Sequence, residues 1–195
     1  MMFQLRRRKL LLRSASALCA AVLASAGGVA HADTNGLELK ELSVQRADDN
    51  SVLLTYDARF DLPEDIEQAL SKGIAVVFVA EATVYRRRWY WMDEVLGNAS
   101  RRWRLAYQPL TRRWRLSFDG LSQFYTSLHQ ALDVIRRTTQ WRIADPLPDR
   151  DDEAYVDFLF KLDTNELPRP LQIGLGDNAD WQLQVQRRVN VPAGR

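Results

Sequence analysis

Apolar and polar residues alternate over most of this chain, and the alternation predicts strands. Leu37, Leu39, Leu42 and Val44 alternate with one slip of phase, which reads as a bulged strand. After turn chemistry at Ala47–Ser51, a second strand places Val52, Leu54, Tyr56, Ala58 and Phe60 on one face. The two should form a hairpin. Asp61-Leu62-Pro63-Glu64-Asp65 opens a short helix with an Ile66, Ala69, Leu70 stripe and a stop at Gly73. Ile74 to Ala80 is apolar on both faces, so a central strand covered on both sides is expected. From Glu81 it alternates and runs out into Tyr85-Arg86-Arg87-Arg88-Trp89-Tyr90-Trp91. Asp93 to Ser100, with Gly97-Asn98, reads as a polar turn.

The pentapeptide Arg101-Arg102-Trp103-Arg104-Leu105 then returns, eleven residues on, as Arg112-Arg113-Trp114-Arg115-Leu116. With Pro109-Leu110 at the tip of a tight turn, Trp103 faces Leu116 and Leu105 faces Trp114. A four-residue loop keeps the same parity. Both place the Trp and Leu residues, with Phe118, on one face and Arg102, Arg104, Arg113 and Arg115 on the other. Asp119-Gly120 closes the hairpin. Ser127 then caps a helix carrying Leu128, Ala131, Leu132 and Ile135, with Arg136-Arg137 at its negative end. A short strand at Trp141 to Ile143 precedes a loop rich in Pro and Asp. Tyr155 to Asp163 alternates cleanly, Leu167 to Leu171 reads as an extended edge segment, and Trp181 to Val191 is a last strand. About eight strands and two short helices predict a mainly β, single-domain antiparallel β-sandwich.

The first 32 residues do not fit that scheme. Arg6, Arg7, Arg8, Lys9 and Arg13 precede an apolar run from Ser14 to Ala26, and Ala30-His31-Ala32 offers a cleavage site. The expectation is a cleaved signal over 1–32 and a mature domain over 33–195, exported to the periplasm with no membrane span retained. An uncleaved anchor is the alternative. Arg7-Arg8-Lys9-Leu10-Leu11 only weakly matches a twin-arginine signal, and Leu18 before Cys19 makes a poor lipidation site. Cleavage removes five of 27 Lys and Arg and none of 25 Asp and Glu, leaving 22 against 25 and a net charge of −3. It also removes Cys19 and His31, so disulfide and thiolate chemistry leave with the leader and His129 becomes the sole histidine. Export and the negative mature charge argue against a nucleic-acid partner.

The arginine cluster is the sharpest anomaly. In the tight-turn register Arg104 faces Arg115 directly, which destabilises a sheet unless something compensates. The plainer answer is that neighbouring acids such as Asp57, Glu81 or Asp157 neutralise the face, or that the side chains simply splay into water. The functional answer is a basic surface for an anionic partner: a lipid headgroup, a polyanionic glycan or an acidic protein patch. Tyr85, Trp89, Tyr90 and Trp91, with Arg86, Arg87 and Arg88, form a second aromatic-rich candidate, since Trp, Tyr and Arg dominate contact hot spots. Core or rim packing is the plainer explanation of that run. Catalytic signals are thin. No glycine elbow surrounds any serine, and no phosphate-binding glycine loop is present. Asp145, Asp149, Asp151, Asp152 and Glu153 lack the spacing of a calcium loop. No enzyme activity, metal or cofactor is therefore expected.

The chain resembles the exported proteobacterial family DUF 4390. The resemblance rests on Tyr85 to Trp91, Arg102-Trp103-Arg104-Leu105-Ala106-Tyr107 with Leu110-Thr111, Leu128-His129-Gln130-Ala131-Leu132, Leu162-Asp163-Thr164 and Leu167 to Gln172. It implies no known activity or site. It implies a place near envelope signalling, because members are often encoded beside a membrane sensor histidine kinase. The expected function is a non-enzymatic periplasmic binding or adaptor domain that contacts a protein of the cell envelope. The alternative is a small-ligand, glycan or lipid-headgroup binder using the same arginine and aromatic surface.

Overall fold

The computed structural model describes residues 36–90, 92–148, 154–169 and 181–193. The expected signal segment, Trp91 and most of the acidic loop lie outside these residues. Among the described residues, nine strands and two α-helices form an antiparallel β-sandwich of two sheets.

The smaller sheet has three strands. β1 (Glu38–Arg46) and β2 (Val52–Arg59) form the expected hairpin, and β2 also pairs β7 (Arg137–Ala144). The slip of phase in β1 is a register shift between Leu39 and Glu41. It lets Leu37 and Val44 both reach the core although their offset along the chain is odd, which strict alternation would place on opposite faces. The β1–β2 turn is held by Asp49, whose carboxylate accepts the Ser51 N–H at 3.0 Å.

The larger sheet runs β6 (Leu121–Tyr125), β5 (Arg113–Phe118), β4 (Glu94–Gln108), β3 (Val76–Arg86), β8 (Ala154–Leu162), β9 (Gln184–Asn190). Its inner face meets the small sheet through the rings of Tyr56, Phe60, Phe78, Phe158 and Phe160, with centroids 5.0–6.2 Å apart. Each such ring, fully buried, contributes about 1.5–3 kcal/mol of transfer free energy. β3 is central and buried on both sides as expected: Phe78 and Ala80 face the core, while Val77 and Val79 are buried on the opposite face. A 3-10 turn, Thr164–Glu166, lies beside that second face, where the Asp163 N–H donates to the Val77 carbonyl at 2.7 Å.

α1 (Glu64–Ser71) starts after Pro63, buries Ile66, Ala69 and Leu70, and ends at Gly73, whose φ of +82° a side chain would resist. α2 (Leu128–Arg136) begins at Ser127, whose Oγ accepts the Gln130 N–H at 3.3 Å. It buries Ala131, Leu132 and Ile135.

Four expectations are corrected. Asp93 to Ser100 is not a polar turn; from Glu94 it is the first half of a fifteen-residue strand. Gly97 sits there because β4 passes so close to β7 that a Cβ would lie 2.6 Å from the Ala144 Cβ. β6 was not expected, and follows β5 through a turn in which Asp119 and Gly120 take φ of 48° and 76°. β7 is longer than Trp141 to Ile143 and starts directly at the end of α2. Leu167 to Arg169 is not part of a strand: Leu167 is buried after the 3-10 turn, and the rest of that segment lies outside the described residues.

The repeated pentapeptides form a hairpin of the expected parity with a register two residues away. Trp103 faces Phe118, Leu105 faces Leu116, and Tyr107 faces Trp114 around a four-residue loop. This register stacks Trp103 on Phe118 at 5.5 Å and sets Tyr107 against Trp114 at 4.9 Å. Each aromatic pair is worth about 0.5–1.5 kcal/mol beyond its burial. The tight-turn register would pair both tryptophans with leucines and forgo both contacts. It would also set Arg104 against Arg115, whereas here Arg104 faces Ser117 and Arg115 faces Ala106.

Candidate functional site

Arg102, Arg104, Arg113 and Arg115 all stand exposed on the outer face of β4 and β5, opposite buried Trp103, Leu105 and Leu116. The three acids expected to neutralise them do not. Asp57 receives Arg137 at 3.1 Å, Glu81 lies 3.9 Å from Lys161, and Asp157 accepts both Nε and Nη2 of Arg188 at 2.8 Å. Arg102 is compensated by acids that pattern reading missed: Asp163 at 3.3 Å and Glu166 at 2.8 Å, beside the 3-10 turn. Arg115 donates through Nε and Nη2 to the Ser122 hydroxyl at 3.1 and 3.0 Å. Among the described residues, no carboxylate or hydrogen-bond acceptor engages Arg104 or Arg113. Among the described residues, acids therefore match Arg102 alone of the four, and the remaining positive charge, on Arg104, Arg113 and Arg115, spreads across β4 and β5.

Arg101 behaves differently from its neighbours. It faces inward, with its guanidinium 5.6 Å from the Phe118 ring and 5.1 Å from the Trp141 ring, and Nη1 3.4 Å from the Thr138 Oγ1. Burial lowers its pKa. Nearby, burial raises the pKa of Tyr56, whose hydroxyl donates to the Ile135 carbonyl at 3.1 Å. Aromatic faces, rather than a carboxylate, hold this arginine.

Trp89 and Tyr90 of the aromatic run lie at the tip between β3 and β4, whose base is closely tied. Glu94 accepts Arg86 at 3.0 Å and also pairs with Arg88. Asp93 accepts the Arg88 N–H at 3.1 Å and the Tyr155 hydroxyl at 2.6 Å. The Tyr155 ring stacks on Tyr85 at 5.3 Å, with Arg87 and Arg188 guanidinium groups 5.7 and 4.1 Å from its centre. Burial, then the hydrogen bond to Asp93, pushes Tyr155 up to about 12. The same bond, with the Arg88 N–H, holds Asp93 below the usual carboxylate value. Hydrogen bonding to Asp157 raises Arg188. Tyr85, Arg86 and Arg87 thus belong to the support of the tip. Its exposed apolar side chains among the described residues are Trp89, Tyr90 and Met92; Trp89 is 91% and Met92 82% exposed, and the Trp89 and Tyr90 rings meet edge to face at 4.8 Å.

The structure does not bring tip and arginine face into one patch. Glu94 and Arg104 are ten residues apart on one strand, a span of about 33 Å. His129 lies on α2 at a separate open cleft of about 360 Å³, lined also by Lys40, Arg59, Asp61 and Asp133. Its carboxylates already have partners there: Asp57 holds Arg137, Asp61 approaches Arg136 at 3.8 Å, and Asp133 takes Arg136 and, at 3.1 Å, His129. Asp145 is exposed and approaches Arg142 at 3.6 Å. Among the described residues, no three His, Cys, Asp or Glu side chains converge on a point that could hold a metal ion. No helix among them is long and apolar enough to cross a membrane.

Fold and surface together define a β-sandwich domain with a basic outer sheet face and a supported aromatic tip. The family model described as a domain of unknown function, DUF4390, matches residues 34–190, and the chain belongs to that family. No curated protein and no solved structure matches it.

Proposed function

We propose that this protein is a non-enzymatic binding or adaptor domain of the periplasm, and that its arginine face engages an acidic surface on a protein of the cell envelope. A role beside an envelope signalling kinase fits that reading. The observation that supports it is the state of Arg104 and Arg113, which stand exposed on adjacent strands with no acid among the described residues to match them. With Arg115 between them on the same face, they make a locally positive surface that an acidic partner would complement. Arginine is also the cation best suited to forked recognition of carboxylates.

The test is the double charge reversal R104E/R113E. Both side chains are exposed, so the thermal midpoint should stay within a degree or two of wild type, as surface changes usually cost less than about 0.5 kcal/mol. Cross-linking in exporting cells should recover an envelope protein with wild type and lose it with the variant. Equal recovery by the folded variant refutes the reading. A second reading, a glycan or small-ligand binder, is favoured by one observation only: Trp89 and Tyr90 are held exposed on a tied base, their rings edge to face.

A further inference from the structure

The two sheets have four edge strands, and three of them are guarded. β1 carries Glu38, Lys40 and Glu41 and a register shift between Leu39 and Glu41. β7 carries Arg137 and Arg142 and two register shifts against β2. β9 carries Arg187 and Arg188. Charges and bulges are the usual protection against another chain adding itself to an exposed ladder. β6 has neither. Its sequence is Leu-Ser-Gln-Phe-Tyr, without charge or proline, and it pairs β5 without a break from Trp114↔Tyr125 to Phe118↔Leu121. Shortness is the one protective feature of its own sequence. Leu121 is 73% and Phe124 50% exposed. Alternate residues of such an edge direct N–H and C=O groups away from the sheet.

Part of the arginine face lies beside this edge: Arg113 and Arg115 are on the neighbouring strand β5, and Arg104 is one strand further in, on β4. Arg115 is on β5, but it reaches across to Ser122 on β6, so its charge sits over the edge strand. A strand added to β6 would run about 4.8 Å further out. A carboxylate on its outer face would then come within reach of the Arg115 guanidinium, with Arg113 and Arg104 deepening the positive field behind. Alternate side chains of that strand would lie against Leu121 on the other face.

We propose that β6 is a strand-addition site for an extended acidic segment of a partner, with acidic and apolar residues alternating. This rests on the arginine-face reading above and specifies how that face is engaged. A second copy of this chain is the less suitable occupant, because pairing β6 with β6 would bring two copies of Arg115 together.

The test uses a fluorescent seven-residue peptide, Glu-Val-Glu-Val-Glu-Val-Glu, read by anisotropy against the wild-type domain. Controls are the same peptide N-methylated at alternate residues and its Lys-for-Glu counterpart. The expected result is saturable binding of the first, with new hydrogen-exchange protection at β6. The N-methylated peptide should bind about tenfold more weakly or worse, through loss of two or three main-chain hydrogen bonds, and the lysine peptide should not bind. Equal binding of the two acidic peptides overturns strand addition while leaving the arginine-face reading standing. Absence of binding by either acidic peptide overturns the inference, and the R104E/R113E cross-linking then judges the broader reading separately. A concentration-dependent dimer protected at β6 assigns the edge to a second copy and also overturns it.

Discussion

Gly97 is the point where the two sheets approach most tightly among the described glycines, and G97A tests whether that contact limits stability. The added Cβ would lie 2.6 Å from the Ala144 Cβ, 3.0 Å from its Cα and 3.1 Å from the Ile143 carbonyl oxygen. Carbon atoms in contact prefer about 3.5–4.0 Å. β4 and β7 must therefore part by close to an ångström, or strain must be held locally. Overpacking of this kind costs about 1–3 kcal/mol. Restricting the unfolded chain by replacing glycine returns about 0.4–1 kcal/mol. The net expectation is a loss of about 1–2 kcal/mol, and for a domain of this size a midpoint lowered by about 2–8 °C. Thermal melts of G97A, A144G and the double variant form a cycle. A144G removes the nearest clashing atom, so the double variant should recover part of the loss, but not all, since the Ala144 Cα and the Ile143 carbonyl remain. A G97A melt indistinguishable from wild type, or a double variant with no recovery, would refute the close-approach reasoning.

Two further outcomes follow from the local geometry. S127A removes the hydroxyl that accepts the Gln130 N–H and should cost about 1 kcal/mol in urea midpoints; no change would show that water caps α2 as well. Y155F tests the tie between Tyr155 and Asp93. The raised Tyr155 pKa means the folded state holds that proton more tightly, so its stabilisation is complete below pH 10 and is lost as pH rises through about 12. Wild-type stability should fall more steeply than that of Y155F across that window, and parallel curves would sink the assignment.

Much of this architecture was legible because the alternation is local. β2, β3 and β8 show their faces in the order of their residues, and both helices announce their starts, at Pro63 and Ser127. Hairpin parity was legible too, because a slip by one residue would have exposed Trp103 and Leu105. What the pattern could not show depends on a second chain segment. The β4–β5 register is chosen by aromatic contacts that appear only once the strands pair. Gly97-Asn98 looks like turn chemistry, yet its glycine answers to Ala144 on the opposite sheet. Asp163 and Glu166 lie some sixty residues beyond Arg102 in sequence, and nothing local marks them as its partners. β6 was missed because its five residues are too few, and too polar, for the alternation to register.

β4 holds one end of the tip and half of the arginine face on a single hydrogen-bonded strand. The separation between them is therefore set by the strand rise and does not vary as it would across a loop. A partner that engages both must itself bridge about 33 Å. An extended segment needs about ten residues for that span, and a shorter ligand can occupy only one surface at a time. Two weak contacts on one sufficiently long partner would reinforce each other through effective concentration. Molecules that match one surface but cannot span the interval would bind there alone, without that reinforcement.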